Sequence, residues 1–251
     1  MNIEPKNIDV QGDYCKVLDA FYMYAGDKED RYVQSSFKNI GLWDIDLTNF
    51  MIQNIKPGWK CLDVGANTGY FTEVMARLSG PTGYVMAFEP IKKLVDAYEE
   101  GKKLNDYSNS APITMHNFGL SSESKDAYVR VTKENVGGSH INESPESGSY
   151  EGGFDYIAEP TKLKALSDIY DEVPDFIKMD IEGHERFAFE GFSENTLKCP
   201  LIVIELGQGH PVSFLNYLNR NYDMTYVNGL KAETYDIIGY DVVNVVMRKK
   251  Q

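Results

Sequence analysis

Cysteine is scarce. The 251 residues hold three, Cys15, Cys61 and Cys199, far apart in the chain. An odd number without close spacing gives neither a disulfide framework nor a metal-ligand motif, so a reducing, cytoplasmic setting is expected. Positive charge is also short: 25 Lys and Arg stand against 38 Asp and Glu, a formal net charge of -13. Proteins that bind nucleic acid neutralise phosphates with clustered basic side chains, so no RNA or DNA partner is expected. No apolar run approaches the roughly 20 residues that a spanning helix needs. The opening MNIEPKNIDVQGDY has no basic stretch leading into an apolar one, so no secretory segment is expected either.

What is present begins at Cys61. The stretch CLDVGANTGYFTEVMARLSGPTGYVMAFEP, residues 61–90, runs from a short apolar strand through a glycine turn into a helix, then through a second strand to an acidic residue. Gly65 and Gly69 bracket the turn, where glycine allows positive φ and close approach of a ligand, and Asn67 tolerates the same conformation. Ala66 and Tyr70 complete the turn, whose following helix starts with free amides. Glu89 lies 24 residues after Gly65, placing a carboxylate at the second strand's tip where it accepts ribose hydroxyls. A dinucleotide fingerprint needs glycine at positions one, three and six, but these are Gly65, Asn67 and Tyr70. No lysine followed by serine or threonine comes after the loop, so a phosphate-cradling loop is excluded as well. Asp63 would repel phosphate and attract an ammonium group. A cofactor with a ribose, an amino acid end and no phosphate fits, and S-adenosylmethionine is such a cofactor.

DVGANTGYFT and AFEP resemble the first two cofactor motifs of class I S-adenosylmethionine-dependent methyltransferases. DFIKMDIEGHE, Asp175 to Glu185, followed by LIVIEL, Leu201 to Leu206, resembles the FkbM-type family in particular. Smaller matches are GLWDID at Gly41 to Asp46, IKPGW at Ile55 to Trp59, Gly137-Gly138-Ser139 and Asn244. The resemblance implies a Rossmann-like α/β fold with a mostly parallel seven-stranded sheet whose last strand, near 241–247, is antiparallel. It also implies O-methylation of a hydroxyl on a sugar, glycan or small natural product. Strands are expected near 60–64, 84–88, 112–116, 175–180, 201–206 and 224–227, with helices near 70–78, 91–104, 184–190 and 211–220. One methyltransferase domain is expected over 1–251: an N-terminal cap at 1–55, helical or mixed, then a core over 56–251. A polar insertion at about 121–160 carries one extra strand, Ala127 to Thr132.

Ligands of open α/β sheets bind beyond the carboxyl ends of the strands. By resemblance, Asn117 and Phe118 contact adenine at the third strand's end. Lys178, Asp180, Glu182, His184 and Glu185 form the densest run of reactive side chains, and Glu205 ends a buried strand with a charge. Residues 178, 180 and 182 share one face if the strand continues. Two mechanisms stand open: Asp180 and Glu205 hold a divalent cation such as Mg that lowers the acceptor's pKa, or His184 or a carboxylate removes its proton. Glu185 reads as a carboxylate in a helix's first turn, His210 as the start of the next helix, and His116 as a core histidine. Two other readings remain, a catalytically inactive S-adenosylmethionine-binding module and, disfavoured by Asn67 and Tyr70, an NAD-dependent oxidoreductase.

Overall fold

The computed structural model describes residues 8–132, 134–142, 144–149 and 155–250. Three antiparallel strands come first, β1 (Val10–Gln11), β2 (Tyr14–Val17) and β3 (Phe21–Tyr24). Helices α1 (Val33–Ile40) and α2 (Ile45–Asn54) follow. The expected cap is thus strand-rich at its start and helical only from Val33, and residues 1–7 lie outside the described residues. In the turn between β2 and β3, Leu18 and Asp19 take φ of 53° and 54°. No glycine or asparagine marks that turn, which is why the hairpin is invisible to residue pattern.

The core alternates strand and helix: β4 (Lys60–Val64), α3 (Tyr70–Ser79), β5 (Tyr84–Phe88), α4 (Lys92–Gly101) and β6 (Ile113–His116). A second sheet interrupts it, built from β7 (Gly119–Leu120), β8 (Lys125–Thr132), β9 (His140–Asn142), β10 (Gly148–Ser149) and β11 (Asp155–Lys164). The core resumes with β12 (Phe176–Met179), α5 (Glu185–Glu190), β13 (Leu201–Leu206), α6 (Val212–Asn221), β14 (Tyr222–Tyr226), α7 (Thr234–Ile237) and β15 (Val243–Lys249). Its seven strands lie in the order β14-β15-β13-β12-β4-β5-β6, with β15 antiparallel to both neighbours and the other pairs parallel. This is the expected mostly parallel α/β sheet with an antiparallel last strand.

The insertion departs from expectation. Residues 121–160 were expected to be a polar loop with one strand, yet β8 and β11 pair from Tyr156 opposite Thr132 to Leu163 opposite Lys125. Pro160 hides β11, because proline argues against a strand. It is tolerated here since β10 and β7 meet only the two ends of β11, leaving the middle of that edge open. Residues 133, 143 and 150–154 of the insertion lie outside the described residues.

Successive residues of the central strands feed two cores. Leu62, Ile177 and Ile202 pack with Phe189, Phe214 and Leu218 on one side. Cys61, Phe176 and Val203 pack with Tyr70 and Met75 of α3 and with Phe21, Phe37 and Met51 on the other. The N-terminal segment therefore covers the α3 face of the sheet. Phe37 is fully buried and stacks on Tyr70, with ring centroids 5.5 Å apart. Phe37→Ala is expected to lower stability by about 3 to 5 kcal/mol, the usual cost of emptying a buried aromatic site, read as an earlier guanidinium midpoint with an unchanged transition slope.

Candidate functional site

A cavity of about 300 Å³ opens over the carboxyl ends of β4, β5, β12 and β13. Its floor is the β4 to α3 turn. Gly65 has φ 83° and Asn67 φ 52°, and a Cβ on Gly65 would lie 1.9 Å from the Asp180 carbonyl oxygen. Glycine is therefore required there by both conformation and space. Gly69, at φ 88°, serves packing instead: a Cβ would meet the Tyr98 ring at 2.4 Å, and Gly69 does not line the cavity. Ala66, Asn67 and Tyr70 do line it, and the Tyr70 hydroxyl lies 3.1 Å from that of Thr48.

Glu89 stands at the tip of β5, as expected. One carboxylate oxygen accepts the Asn67 N–H at 2.8 Å and the other the Ile91 N–H at 2.9 Å. Burial pushes its pKa up to about 7 against the pull of those two amides. Phe88, Ile91 and Leu94 supply an apolar wall beside it. The Thr68 hydroxyl also lines the cavity and, among the described residues, is buried without a hydrogen-bond partner.

Asp63 is displaced from its expected role. Its side chain is fully buried and does not line the cavity; the Thr72 hydroxyl donates to it at 2.6 Å, and Lys178 Nζ lies 3.6 Å away. The ammonium that Asp63 meets is the chain's own. Lys178 Nζ also donates to the Gly65 carbonyl at 2.8 Å and sits 3.5 Å from Asp180. Burial alone would lower the Lys178 pKa, but Asp180, Asp63 and Glu205 together raise it, so the ammonium stays charged.

Asn117 and Phe118 also differ from expectation. The Asn117 amide donates to the backbone carbonyls of Glu89 and Pro90 at 3.0 and 3.2 Å, and Phe118 packs against Phe88 and His116. Beyond β6 the cavity wall is Gly119 and Leu120, two residues further along. His116 stacks on Phe88 but is only half-buried, at the edge of the core rather than within it.

At the far end, one oxygen each of Asp180, Glu182 and Glu205 lies within 4.8 Å of the others. β12 stops at Met179, so Glu182 does not continue the strand face; a turn with φ 54° at Glu182 and 92° at Gly183 swings it back toward Asp180. Burial, then Asp180 and Glu185, push the Glu182 carboxyl up to about 8. Burial and the neighbouring carboxylates, Asp180 foremost, hold Glu205 well above the ordinary range as well. His184 lines the cavity with Nε2 3.0 Å from the Ser121 hydroxyl, and burial lowers its pKa. Glu185 is structural: it accepts the Ile181 N–H at 2.9 Å and pairs with His210 Nε2 at 2.8 Å. His210 is buried and takes the Gly207 N–H on Nδ1, rather than merely opening α6.

Several lining residues escaped the sequence reading. Tyr32, Val33 and Trp43 come from the N-terminal segment, and Val136, Gly137 and Ile141 from the insertion. The two roofs are joined: Asp30 accepts the Val136 N–H at 3.3 Å, and Arg31 N–H donates to the Glu134 carbonyl at 3.0 Å. The only signals were the GLWDID run and the Gly137-Gly138-Ser139 triplet.

The family described as Methyltransferase FkbM domain matches residues 63–226, from the buried aspartate of β4 to the end of β14. The chain belongs to the FkbM methyltransferase family. Among curated proteins it is similar to the protein-L-isoaspartate O-methyltransferase of Methanothrix thermoacetophila, 37% identical over 60 residues, 24% of this chain and 29% of that protein. The enzyme of that name from Ignicoccus hospitalis is 40% identical over 55 residues, 22% and 26% of the two chains. The chain thus spans under a third of either relative. A solved FkbM methyltransferase from Methylobacillus flagellatus is similar at 21% identity and a TM-score of 0.45, over 75% of this chain and 43% of that one. The residues of the cavity fit S-adenosylmethionine: they offer a carboxylate at a strand tip, a glycine turn open to close approach, an apolar wall and a Thr68 hydroxyl without a partner among the described residues.

Two outcomes follow from the buried charges. Lys178→Met leaves Asp63 charged and unpaired, so a loss of about 3 to 5 kcal/mol is expected, and adding Asp63→Asn recovers much of it in chemical denaturation. Glu89, Glu182 and Glu205 bind protons more readily folded than unfolded, whose reference is 4.5. The native state then holds more protons between about pH 4.5 and about pH 8, and these groups' contribution to stability is lost as pH rises through that window. In Glu205→Gln the fall in melting temperature between about pH 5.5 and about pH 8.5 is expected to shrink.

Proposed function

We propose that this FkbM-family protein methylates a hydroxyl group on a neutral acceptor, a sugar, glycan or small natural product. One observation carries the reading: a single cavity runs from the Glu89 carboxylate to the Asp180, Glu182 and Glu205 cluster. When bound, S-adenosylmethionine supplies a methyl group on a positively charged sulfur. Glu89 accepts its ribose hydroxyls, and Gly65, Ala66 and Asn67 let it approach the backbone. Asp180 would offer negative charge to that positive centre, and Glu205 or Glu182 would take the acceptor's hydroxyl proton, leaving its oxygen free for the methyl group the cofactor would supply. A carboxyl that binds a proton above pH 7 suits this role, since general bases work best near ambient pH. His184, neutral and engaged with Ser121, is the alternative base.

The isoaspartate enzymes act, by their name, on protein L-isoaspartate; here Asp180, joined by Glu182 and Glu205 when they ionise, would repel an anionic acceptor. The same repulsion and the charge of -13 disfavour nucleic acid. A second reading is favoured by the cluster's compactness: Asp180 and Glu205, with Glu182, hold a divalent cation such as Mg that orients the acceptor oxygen. Three free, buried cysteines suit a reducing cytoplasm. Residues 8–55 of the described chain act as the cap of one methyltransferase domain.

Calorimetric titration with S-adenosylmethionine, with NAD in parallel, tests the base of this reading. Binding of S-adenosylmethionine alone, weakened by Glu89→Ala at least tenfold, is expected, about 1.4 kcal/mol; binding of NAD instead would overturn it. With an acceptor in hand, Glu205→Gln should lower kcat by about 100-fold or more. Turnover that survives EDTA removes the cation and leaves the carboxylate base.

A further inference from the structure

A second cavity of about 530 Å³ lies against the outside of the first, between α2 and the β14 to β15 connection. The two share a wall. Trp43 and Val242 line the inner cavity, while the next residue along the chain from Trp43, Asp44, and the nearby Asn244 line the outer one. Asp44 accepts a hydrogen bond from the Asn244 amide at 3.1 Å, closing the wall between them. Asn244 stands opposite Glu205 in the β13 to β15 register, so this wall abuts the acidic cluster.

The lining of the outer cavity is of a specific chemical kind. Asp46, Asn49, Phe50 and Gln53 of α2 face it, at the i, i+3, i+4 and i+7 spacing that makes one helix face. The side chains of Asp46, Asn49 and Gln53 make no hydrogen bond among the described residues. Opposite them Tyr226 and Tyr240 meet edge to face with centroids 5.8 Å apart, and Tyr240 is 48% exposed. Exposed polar side chains on a helix ordinarily face bulk water. Here they face an aromatic wall across a cavity, and no lysine or arginine lines it. Aromatic rings offer apolar faces to C–H groups, while amides and carboxylates pair with hydroxyls in both directions. Without a cation among the lining residues, an anionic occupant has no partner.

We infer that this outer cavity is the distal subsite of the acceptor, and that the acceptor is an uncharged polyhydroxylated chain of at least two sugar-sized units. One unit presents its hydroxyl to the Asp180, Glu182 and Glu205 cluster. The next crosses over the rim that the Asp44 to Asn244 contact forms between the two cavities and lies between the α2 stripe and Tyr240. The inference rests on the hydroxyl-methylation reading above, and it adds chain length and neutrality to it. It also gives the outer groove a part in affinity and none in the chemical step, since its residues do not line the inner cavity except across that wall.

The test uses the whole protein, fluorescently labelled, on an array of neutral, sulfated and phosphorylated glycans of one to six units, with calorimetric titration of S-adenosylmethionine on the same preparations. Retention by neutral glycans of two or more units, above monosaccharides and above every anionic glycan, is expected. Asn49→Ala with Gln53→Ala should weaken that retention at least tenfold while cofactor affinity stays unchanged. Both residues are exposed, so the double variant keeps its fold. A blank array from a preparation that binds S-adenosylmethionine, a preference for anionic glycans, or unchanged retention by the double variant would each overturn the inference. Loss of cofactor binding by the parent protein would instead sink the methyltransferase reading beneath it.

Discussion

A buried ammonium holds the site together. Lys178 reaches the Gly65 carbonyl, Asp63 and Asp180, and so joins the end of β4, the glycine turn and the end of β12. A lone cation in an apolar interior is costly, and only carboxylates and a carbonyl at this range stabilise it. Its position is forced by register, since Lys178 lies opposite Asp63 in the β4 to β12 pair and on the same face. With the turn fixed, the Asn67 N–H is aimed at Glu89, and Glu89 in turn holds the start of α4 through Ile91.

One cation set against Asp63 beneath the cavity and Asp180, Glu182 and Glu205 along it leaves this end of the site with an excess of negative charge. Removal from water adds to the repulsion between the carboxylates, so Glu182 and Glu205 hold protons more tightly than exposed glutamates do. A positive centre entering the cavity relieves that repulsion, and a negative one increases it. The chain's overall acidity therefore has a local counterpart where the chemistry is proposed to occur.

The central sheet was legible because its signals are local. Val64 to Tyr70 and Phe88 to Glu89 put apolar strand, glycine turn and acidic tip within a few residues, and β4, β5 and β13 fall where their apolar runs do. What was not legible depends on contacts distant in sequence. Asp63 reads as a ligand for a foreign cation because Lys178, 115 residues later in the chain, is not visible as its partner. Asn117 reads as a cavity residue because nothing nearby reveals that its amide is spent on the Glu89 carbonyl. The β2 to β3 hairpin turns without glycine, and β11 contains proline, so each lacks or contradicts the residue type by which such elements are known. The roof over the cavity joins Asp30 to Val136, a pairing that no spacing rule encodes.

The placement of β15 between β13 and β14 has a consequence for synthesis on the ribosome. β13 and β14 come off the chain before β15, but they do not pair with each other; β15 must enter between them. Until it does, β13 presents an open edge of backbone amides and carbonyls, with Glu205 near its end, and open edges pair readily with other chains. A nascent chain paused in the β14 to β15 connection thus keeps that edge open to other chains although most of the sheet has already been synthesised. Its outer acceptor groove does not yet exist, because Val243 and Asn244 arrive only with the strand that completes the sheet.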